Sequence, residues 1–295
     1  MADPKKKAIA LLVSSSFFFA LMSMFVRLAG DVPSVQKMVF RNGVSAAVAA
    51  VMLLRSRTLL RIPGECVRPL VVRTLCGFGS VACNYYAIDH LMLASSNSLS
   101  KLSPFFAILF AAFFLGERVS RGQIGAIALA LVGSGFLIFP NLRTLGLSAC
   151  IGLVGGILSG GAHVALRALQ KTEKISNAVI VFVFSGFSLI VVLIPSLMNW
   201  HSMTWQQWLI LLLAGSSCAV AQFCLTGAYR YAAPKEISIF DFSQILFSGL
   251  LGFLVFHQIP GVYSWVAYGF ILAAACVLYC SNLKATHSEQ LSKAK

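Results

Sequence analysis

Runs of about twenty apolar residues follow one another along almost the whole chain, separated by short polar connections. Such a run is long enough to cross the roughly 30 Å hydrocarbon core of a bilayer as an α-helix. The apolar residues do not alternate with polar ones, as they would in the strands of a membrane barrel. The pattern therefore predicts an all-α integral membrane protein with ten transmembrane helices, which we place at residues 8–28, 35–54, 70–89, 92–115, 121–140, 147–169, 177–198, 205–229, 235–256 and 262–283.

Composition agrees with a chain that is surrounded by lipid. Hydrophobic residues make up 58% of the sequence and charged residues only 11%, whereas soluble domains carry about 25% charged residues. The mean hydropathy is +0.85. We therefore expect the lipid bilayer to be the main partner of the protein's outer surface.

The basic residues occupy alternate connections. Their excess gives a net charge of +14, which would suggest a nucleic-acid partner in a soluble protein. Here the bias is typical of the positive-inside rule, so we expect both termini in the cytoplasm, location in the cell membrane and no nucleic-acid partner. The first apolar run exceeds the 7–15 residues of a signal peptide and is interpreted as a retained helix. On this topology 17 of the 23 Lys and Arg residues are cytoplasmic: Lys5, Lys6, Lys7, Arg55, Arg57, Arg61, Arg68, Arg118, Arg121, Arg167, Lys171, Lys174, Arg230, Lys235, Lys284, Lys293 and Lys295.

The second half of the chain repeats the pattern of the first. A shift of 141 residues places "YYAIDHLMLASSNSLSKLSPFF" over "TGAYRYAAPKEISIFDFSQILF" without a gap. Each half holds five helices, an odd number, so the second half is expected to be inverted in the membrane. Inverted repeats are typical of secondary transporters, whose substrate sites lie near the midplane between the repeats. We predict repeats at residues 1–140 and 141–283, followed by a cytoplasmic tail at 284–295.

Two stretches carry a family resemblance. "FVRLAGDVPSVQKMVFRN" spans the first two predicted helices, and "LSKLSPFFAILFAAFFLGERVSRGQIGAIALALVGSGFLI" spans the fourth and fifth. With them the chain resembles the ten-helix EamA type of the drug/metabolite transporter superfamily. The resemblance implies a fold of two inverted five-helix repeats and alternating-access transport of a small organic metabolite. It does not supply the substrate.

The sequence departs from that resemblance in two places. The turn Gly116-Glu117 corresponds to His257-Gln258 in the second half, so this feature is not duplicated. The first helix contains no acidic residue, whereas the four-helix multidrug relatives carry a membrane-embedded glutamate there. Their proton-coupling scheme therefore cannot be transferred.

One lysine lies deep in the fourth predicted helix. Lys101 is about ten residues, or roughly 15 Å, into this helix, and a lone charge at that depth costs about 2.5 kcal/mol or more. Asn97 and Pro104 share its helix face, and Pro104 cannot donate to the carbonyl of Ser100. An opened carbonyl beside an ammonium is typical of the broken helices in transporter sites.

The repeat supplies a partner for this lysine. Ser100 aligns with Asp241, so Lys101 and Asp241 are expected at almost equal depth and in contact, directly or through substrate. Asp241 shares a polar stripe with Gln244. We favour a role in binding or coupling, because a static buried pair is often replaceable by apolar residues at little cost. The alternative is a permanent ion pair that only fixes helix packing.

Other deep polar side chains are weaker candidates for substrate binding. Each has a structural alternative: snorkelling to the headgroups for Arg41, interhelical hydrogen bonding for Asn84, Gln222 and Tyr229, the interfacial aromatic belt for Tyr85, and packing for His163. With the residues above, the candidate substrate site comprises Lys101, Asp241, Asn97, Gln244, Arg41, Asn84, Tyr85, Gln222, Tyr229 and His163.

Other functional classes have less support. Ser159 and His163 are one turn apart, but the surrounding G-x-x-S-G is not the G-x-S-G of serine hydrolases, so an intramembrane enzyme is disfavoured. No filter-like segment indicates a channel. No Walker motif, Cys-x-x-Cys pair or other metal-ligand spacing occurs, so no cofactor or metal is expected.

The expected function is secondary active or facilitated transport of a small polar metabolite. An amino acid or related zwitterion or carboxylate is favoured, because Arg41 and Lys101 add positive charge along a path that also holds Asp241. The alternatives are an organic-anion or nucleotide-like exchanger and a multidrug or cation exporter. The chain is expected to act as a monomer or homodimer.

Overall fold

The computed structural model describes residues 4–56, 62–115, 119–138, 146–172, 174–231 and 238–293, and these residues are almost entirely helical. The helices are α1 (Pro4–Leu28), α2 (Ser34–Ser56), α3 (Gly64–His90), α4 (Leu93–Ser100), α5 (Ser103–Leu115), α6 (Arg121–Ile138), α7 (Gly146–Thr172), α8 (Asn177–Met198), α9 (Trp205–Tyr231), a 3-10 helix (Ser238–Phe242), α10 (Ser243–Phe256) and α11 (Val262–Lys293).

Eight helices in the described part of the chain are long and apolar enough to cross a membrane. The fourth and fifth predicted spans are not among these eight; the fourth is broken into α4 and α5. Most predicted boundaries agree with the observed ones to within a few residues. At the C-terminus α11 continues to Lys293, so most of the predicted tail is continuous with the last helix.

Distant helices pair along their lengths. α3 packs along α7, α1 along α9, α2 along α8, and α6 along α11. Small residues permit the closest approaches. At Gly133 on α6, a Cβ atom would lie 3.1 Å from the carbonyl oxygen of Ala267 on α11. Three small residues spaced four apart on this helix, Ala126, Ala130 and Ser134, are also buried.

Helix α7 lies against the break between α4 and α5. A Cβ atom at Gly156 would lie 2.6 Å from the carbonyl oxygen of Leu99, and one at Gly160 would lie 3.0 Å from that of Ser103. The glycines of "GGILSGGAH" therefore serve a tight helix crossing. This packing accounts for the small residues around Ser159.

Candidate functional site

The break in the fourth span falls at Lys101. Helix α4 ends at Ser100, Lys101 has φ −76° and ψ 2°, and α5 begins at Ser103. The Lys101 amide donates to the carbonyls of both Asn97 and Ser98, and the Leu102 amide donates to that of Leu99. This tight turn comes just before Pro104, which cannot donate to the carbonyl of Ser100. Local sequence chemistry therefore places the lysine at a helix end rather than in a helix interior.

Asp241 lies where the helical geometry changes. This residue belongs to the 3-10 helix Ser238–Phe242, which leads directly into α10 at Ser243. In the predicted repeat, this position and the break at Lys101 have nearly the same register, because Asp241 corresponds to Ser100. The regular α-helix is therefore altered at the two positions where the sequence places deep charges.

Lys101 and Asp241 meet in a partly buried ion pair. The Lys101 Nζ donates to Asp241 Oδ2 at 2.6 Å, and the two side chains are only 10% and 17% exposed. Ser16 on α1 donates to the other carboxylate oxygen at 3.3 Å and to the Asp241 carbonyl at 3.1 Å. The expected contact between these two charges is thus observed, and it is direct.

Both charges lie at helix ends of opposite polarity. Lys101 follows the C-terminus of α4, and Asp241 precedes the N-terminus of α10. The helix dipole favours a cation at the first position and an anion at the second. The helix ends therefore stabilise the two ions in addition to their attraction for each other.

Asn97 and Gln244 form a buried polar cluster beside the pair. The Asn97 Oδ1 accepts from Gln244 Nε2 at 2.9 Å and from Ser23 at 3.2 Å, while its Nδ2 donates to Ser248 at 2.9 Å and to the Leu93 carbonyl at 3.1 Å. An amide has two donors and two acceptor sites, so Asn97 is fully satisfied. In this structure its side chain joins α1, α4 and α10 rather than presenting a vacant binding group.

Asn84 reaches the break from another helix. Its Nδ2 donates to Ser100 Oγ at 2.5 Å, which fixes α3 against the last turn of α4. Asn84 therefore lies beside the residue that precedes Lys101, and its contact is the interhelical hydrogen bond that was its structural alternative.

Arg41 and Tyr85 are both buried. Arg41 is 5% exposed and Tyr85 is 1% exposed. Arg41 therefore does not snorkel to the headgroups, and Tyr85 packs within the hydrophobic core between α1, α2 and α3 instead of an interfacial belt. The Arg41 Nη1 donates to Asn42 Oδ1 at 2.8 Å.

The remaining candidates lie on α7 and α9. His163 is half-buried on α7. Gln222 is half-buried on α9. The side chain of Tyr229 lies outside the described residues.

Sequence reasoning missed a second ion pair. Lys37 on α2 lies 2.5 Å from Asp89 on α3, and the lysine side chain is fully buried. Ser34 donates to the other Asp89 oxygen at 2.6 Å. The only sequence signal was the position of both charges at the edges of spans, which does not identify partners.

Arg27 lies at the same end of the helix bundle as the Lys37–Asp89 pair. Its guanidinium donates to the carbonyls of Leu91 and Ile88 at the C-terminus of α3 and lies 5.4 Å from the ring of Phe256. A cation at this position compensates unpaired carbonyls. Arg27 therefore fixes the α3–α4 connection.

The break gives a direct prediction for Pro104. Pro104→Ala would supply an amide that can bond the Ser100 carbonyl and favour a continuous helix through the break. Because Pro104 lies in the first turn of α5, where proline is tolerated, we expect only a small change in the thermal unfolding temperature. We also expect weaker substrate binding, because Lys101 would rotate with the restored turn.

Pro195→Ala, in the interior of α8, is the matched control. It should raise thermal stability without changing transport. A Pro104→Ala protein that transports like the parent would show that the proline only bends the helix.

Comparison with known proteins places this architecture in a family. The model of the EamA-like transporter family matches twice, at residues 6–139 and 146–280. Together these matches cover nearly the whole chain.

Two relatives carry names that describe them as transport proteins. The chain is 28% identical over 279 residues to the pseudopaline exporter CntI of Pseudomonas aeruginosa, covering 93% of this chain and 96% of that protein. It is 26% identical over 220 residues to a riboflavin transporter of Brucella anthropi, covering 70% and 75% of the two chains.

A solved crystal structure has the same fold. It aligns with a TM-score of 0.67 at 15% identity, over 93% of this chain and 97% of the other. At that identity the likeness supports the fold alone.

The helical membrane architecture, the two family matches and the transporter relatives agree with the resemblance carried by the first two and the fourth and fifth helices. The chain is a multi-pass membrane protein that belongs to the EamA-like transporter family.

Proposed function

We propose that this protein is a secondary carrier that moves a small polar organic metabolite by alternating access, with an amino acid or a related zwitterion or carboxylate as the favoured substrate. The observation that carries the proposal is the Lys101–Asp241 pair, which joins the end of α4 to the 3-10 helix that precedes α10. Such a pair offers an ammonium for a substrate carboxylate and a carboxylate for a substrate amine. A ligand with both groups can replace each ion's partner without leaving a charge unpaired.

The helix packing supports two inverted repeats at residues 1–140 and 141–283. Exchanging the halves converts the pairing of α3 with α7 into that of α9 with α1, and both pairings are present. The pairings of α2 with α8 and of α6 with α11 each map onto themselves. The double family match gives further support. In transporters with this symmetry, the substrate site lies between the repeats.

The buried pair Lys37–Asp89 supports a gating role for one end of the bundle. Gln36 exchanges two hydrogen bonds with the backbone of His201 at this end, at 2.9 and 3.1 Å. Gln258 also accepts from the Leu93 amide at 3.0 Å. These polar contacts join separate helices, so they can break and reform as the access path changes.

We propose that both termini are cytoplasmic, because the basic connections alternate along the chain. Single cysteines at positions 60, 201 and 290 in a cysteine-free background test this orientation. A membrane-impermeant maleimide added to intact cells should label position 201 and should leave positions 60 and 290 unlabelled. Labelling at position 60 but not at 201 would reverse the orientation.

Transport is tested with purified protein in liposomes. Saturable accumulation of a labelled zwitterion or carboxylate, recovered without covalent change, is the expected result. A saturable flux restricted to apolar cations would contradict the proposed substrate class. Conversion of the solute to a product would indicate an enzyme.

Export is the favoured direction of transport, because one relative of almost equal length is named a pseudopaline exporter. Cells that express the protein should therefore lose a preloaded substrate faster than cells that express the Lys101→Met variant. Faster uptake instead of faster loss would indicate an importer.

A further inference from the structure

Two arginines between α2, α3 and α8 have no anionic partner. Among the described residues, neither Arg41 nor Arg73 forms an ion pair with a carboxylate. The Nε atom of each is buried without a hydrogen-bond acceptor. An enclosed guanidinium without a counterion is costly, and charged side chains within membrane spans are usually paired or functional.

Both guanidiniums lie against one aromatic ring. The ring centroid of Phe184 on α8 is 5.6 Å from the Arg41 Cζ and 4.7 Å from the Arg73 Cζ. Cation–π contacts within about 6 Å attract a cation to the ring face, but they do not supply the acceptors that guanidinium N–H groups require. The ring therefore holds the two arginines near each other. The Arg41 Nη1 donates to Asn42 Oδ1, and the Nε of each arginine remains without an acceptor.

The other unpaired polar groups nearby point to the same kind of ligand. Buried side-chain atoms without a partner include Asn42 Nδ2, Ser45 Oγ, Thr74 Oγ1 and Ser188 Oγ. Each is adjacent in sequence to one of the two arginines, or one helical turn from Arg41 or Phe184. The amide nitrogen can only donate, and the hydroxyls can donate. All four groups can therefore donate to an anion, as the two arginines can.

We propose that Arg41 and Arg73 bind a carboxylate of the transported metabolite, at a subsite distinct from the Lys101–Asp241 pair. Guanidiniums match the planar geometry of carboxylates and bind them by paired N–H···O bonds. The subsite rests on the proposed carrier function and defines its substrate class as an organic acid or an amino acid with an additional acidic group.

Helix α3 contributes to both places. It carries Arg73, which lies against Phe184, and Asn84, which donates to Ser100 beside Lys101. A substrate with two acidic groups and an amine would place one acid at Arg41 and Arg73. Its second acid and its amine would then exchange partners with Lys101 and Asp241.

Binding measured without transport tests the subsite separately from the carrier function. Succinate and its dimethyl ester are titrated against the full chain in phosphatidylcholine nanodiscs, with thermal unfolding or calorimetry as the readout. Succinate should bind and the ester should not. Arg73→Gln and Arg41→Gln should each weaken succinate binding roughly 10- to 100-fold, as expected for a lost hydrogen bond to a charged group.

Arg68→Gln, an exposed arginine on the same helix, is the matched control and should bind succinate like the parent. A variant is compared only if it elutes as a monodisperse peak.

Arg73→Lys provides a second test, because it keeps the positive charge. It should bind succinate more tightly than Arg73→Gln does and more weakly than the parent.

Three results would overturn the subsite. The first is equal affinity of parent and arginine variants for succinate. The second is equal affinity for succinate and its ester. The third is a parent protein stabilised by phosphatidylglycerol but not by succinate, which would assign the arginines to an anionic lipid headgroup. If succinate binds as expected but no solute crosses the liposome membrane, the carrier proposal fails while the anion site stands.

Discussion

Replacing Lys101 with methionine is expected to abolish transport while the protein still inserts into the membrane. Methionine has a similar length but cannot donate to Asp241, whose carboxylate would then lie buried without its cation. Removing one partner of a buried ion pair typically costs about 3–5 kcal/mol. Asp241→Asn should have the same effect on transport, since it leaves the lysine unpaired. Initial rates in liposomes and thermal unfolding of the same preparations provide the two measurements.

The double variant Lys101→Met, Asp241→Leu separates function from packing. With both charges removed, no buried ion is left unpaired, so thermal stability should return towards that of the parent. Transport should remain absent, because both groups that exchange partners with substrate are gone. Full recovery of transport would show that the pair is structural and that the substrate binds elsewhere.

Lys174→Met is the matched control for the loss of an ion pair. Lys174 lies 2.5 Å from Glu65, but the two side chains are 59% and 52% exposed. Exposed pairs contribute about 0–1 kcal/mol, so this substitution should change neither stability nor transport measurably. The contrast isolates the effect of burial at Lys101.

Gly156→Ala is expected to destabilise the protein and to reduce transport. The added Cβ would lie 2.6 Å from the carbonyl oxygen of Leu99, which is backbone and cannot rotate away. That carbonyl accepts the bond from the Leu102 amide that closes the turn at Lys101. Helix α7 must therefore move away from the break, and overpacking of this kind costs about 1–3 kcal/mol.

Gly125→Ala on α6 is the control, because a Cβ there would have no neighbour within 4 Å. Alanine is favoured over glycine in a helix interior by about 1 kcal/mol. The control should therefore raise the unfolding temperature slightly, whereas Gly156→Ala should lower it. Equal unfolding temperatures for the two variants would mean that α7 does not constrain the break.

The hydropathy pattern predicted most of the helix boundaries because membrane spanning depends on local composition. A run of apolar residues must satisfy its backbone within one helix, whatever its neighbours are. For the same reason α8 begins and ends where the sequence placed it, at residues 177–198. The two stretches that carry the family resemblance, in the first two and in the fourth and fifth helices, are likewise recognised from short segments of sequence.

The break at Lys101 was also readable from the sequence. Pro104 removes one backbone donor wherever the helix lies, and a lysine in lipid needs a partner. The choice of Asp241 as that partner required one non-local step, the alignment of the two halves. Sequence could not decide whether the contact is direct, since this depends on the rotation and tilt of two separate helices.

By itself, the sequence determined the membrane class, the spans, the family resemblance and the position of the deep charges. Only the tertiary structure decided which polar side chains are satisfied and which are not. Asn97 appeared as available as Arg41 in the sequence, yet packing of α1, α4 and α10 uses every hydrogen-bonding site of its amide. Arg73 drew no attention in the sequence, but the ring of Phe184 brings it near Arg41. Burial and pairing are properties of contacts between helices, and no local pattern along one helix specifies them.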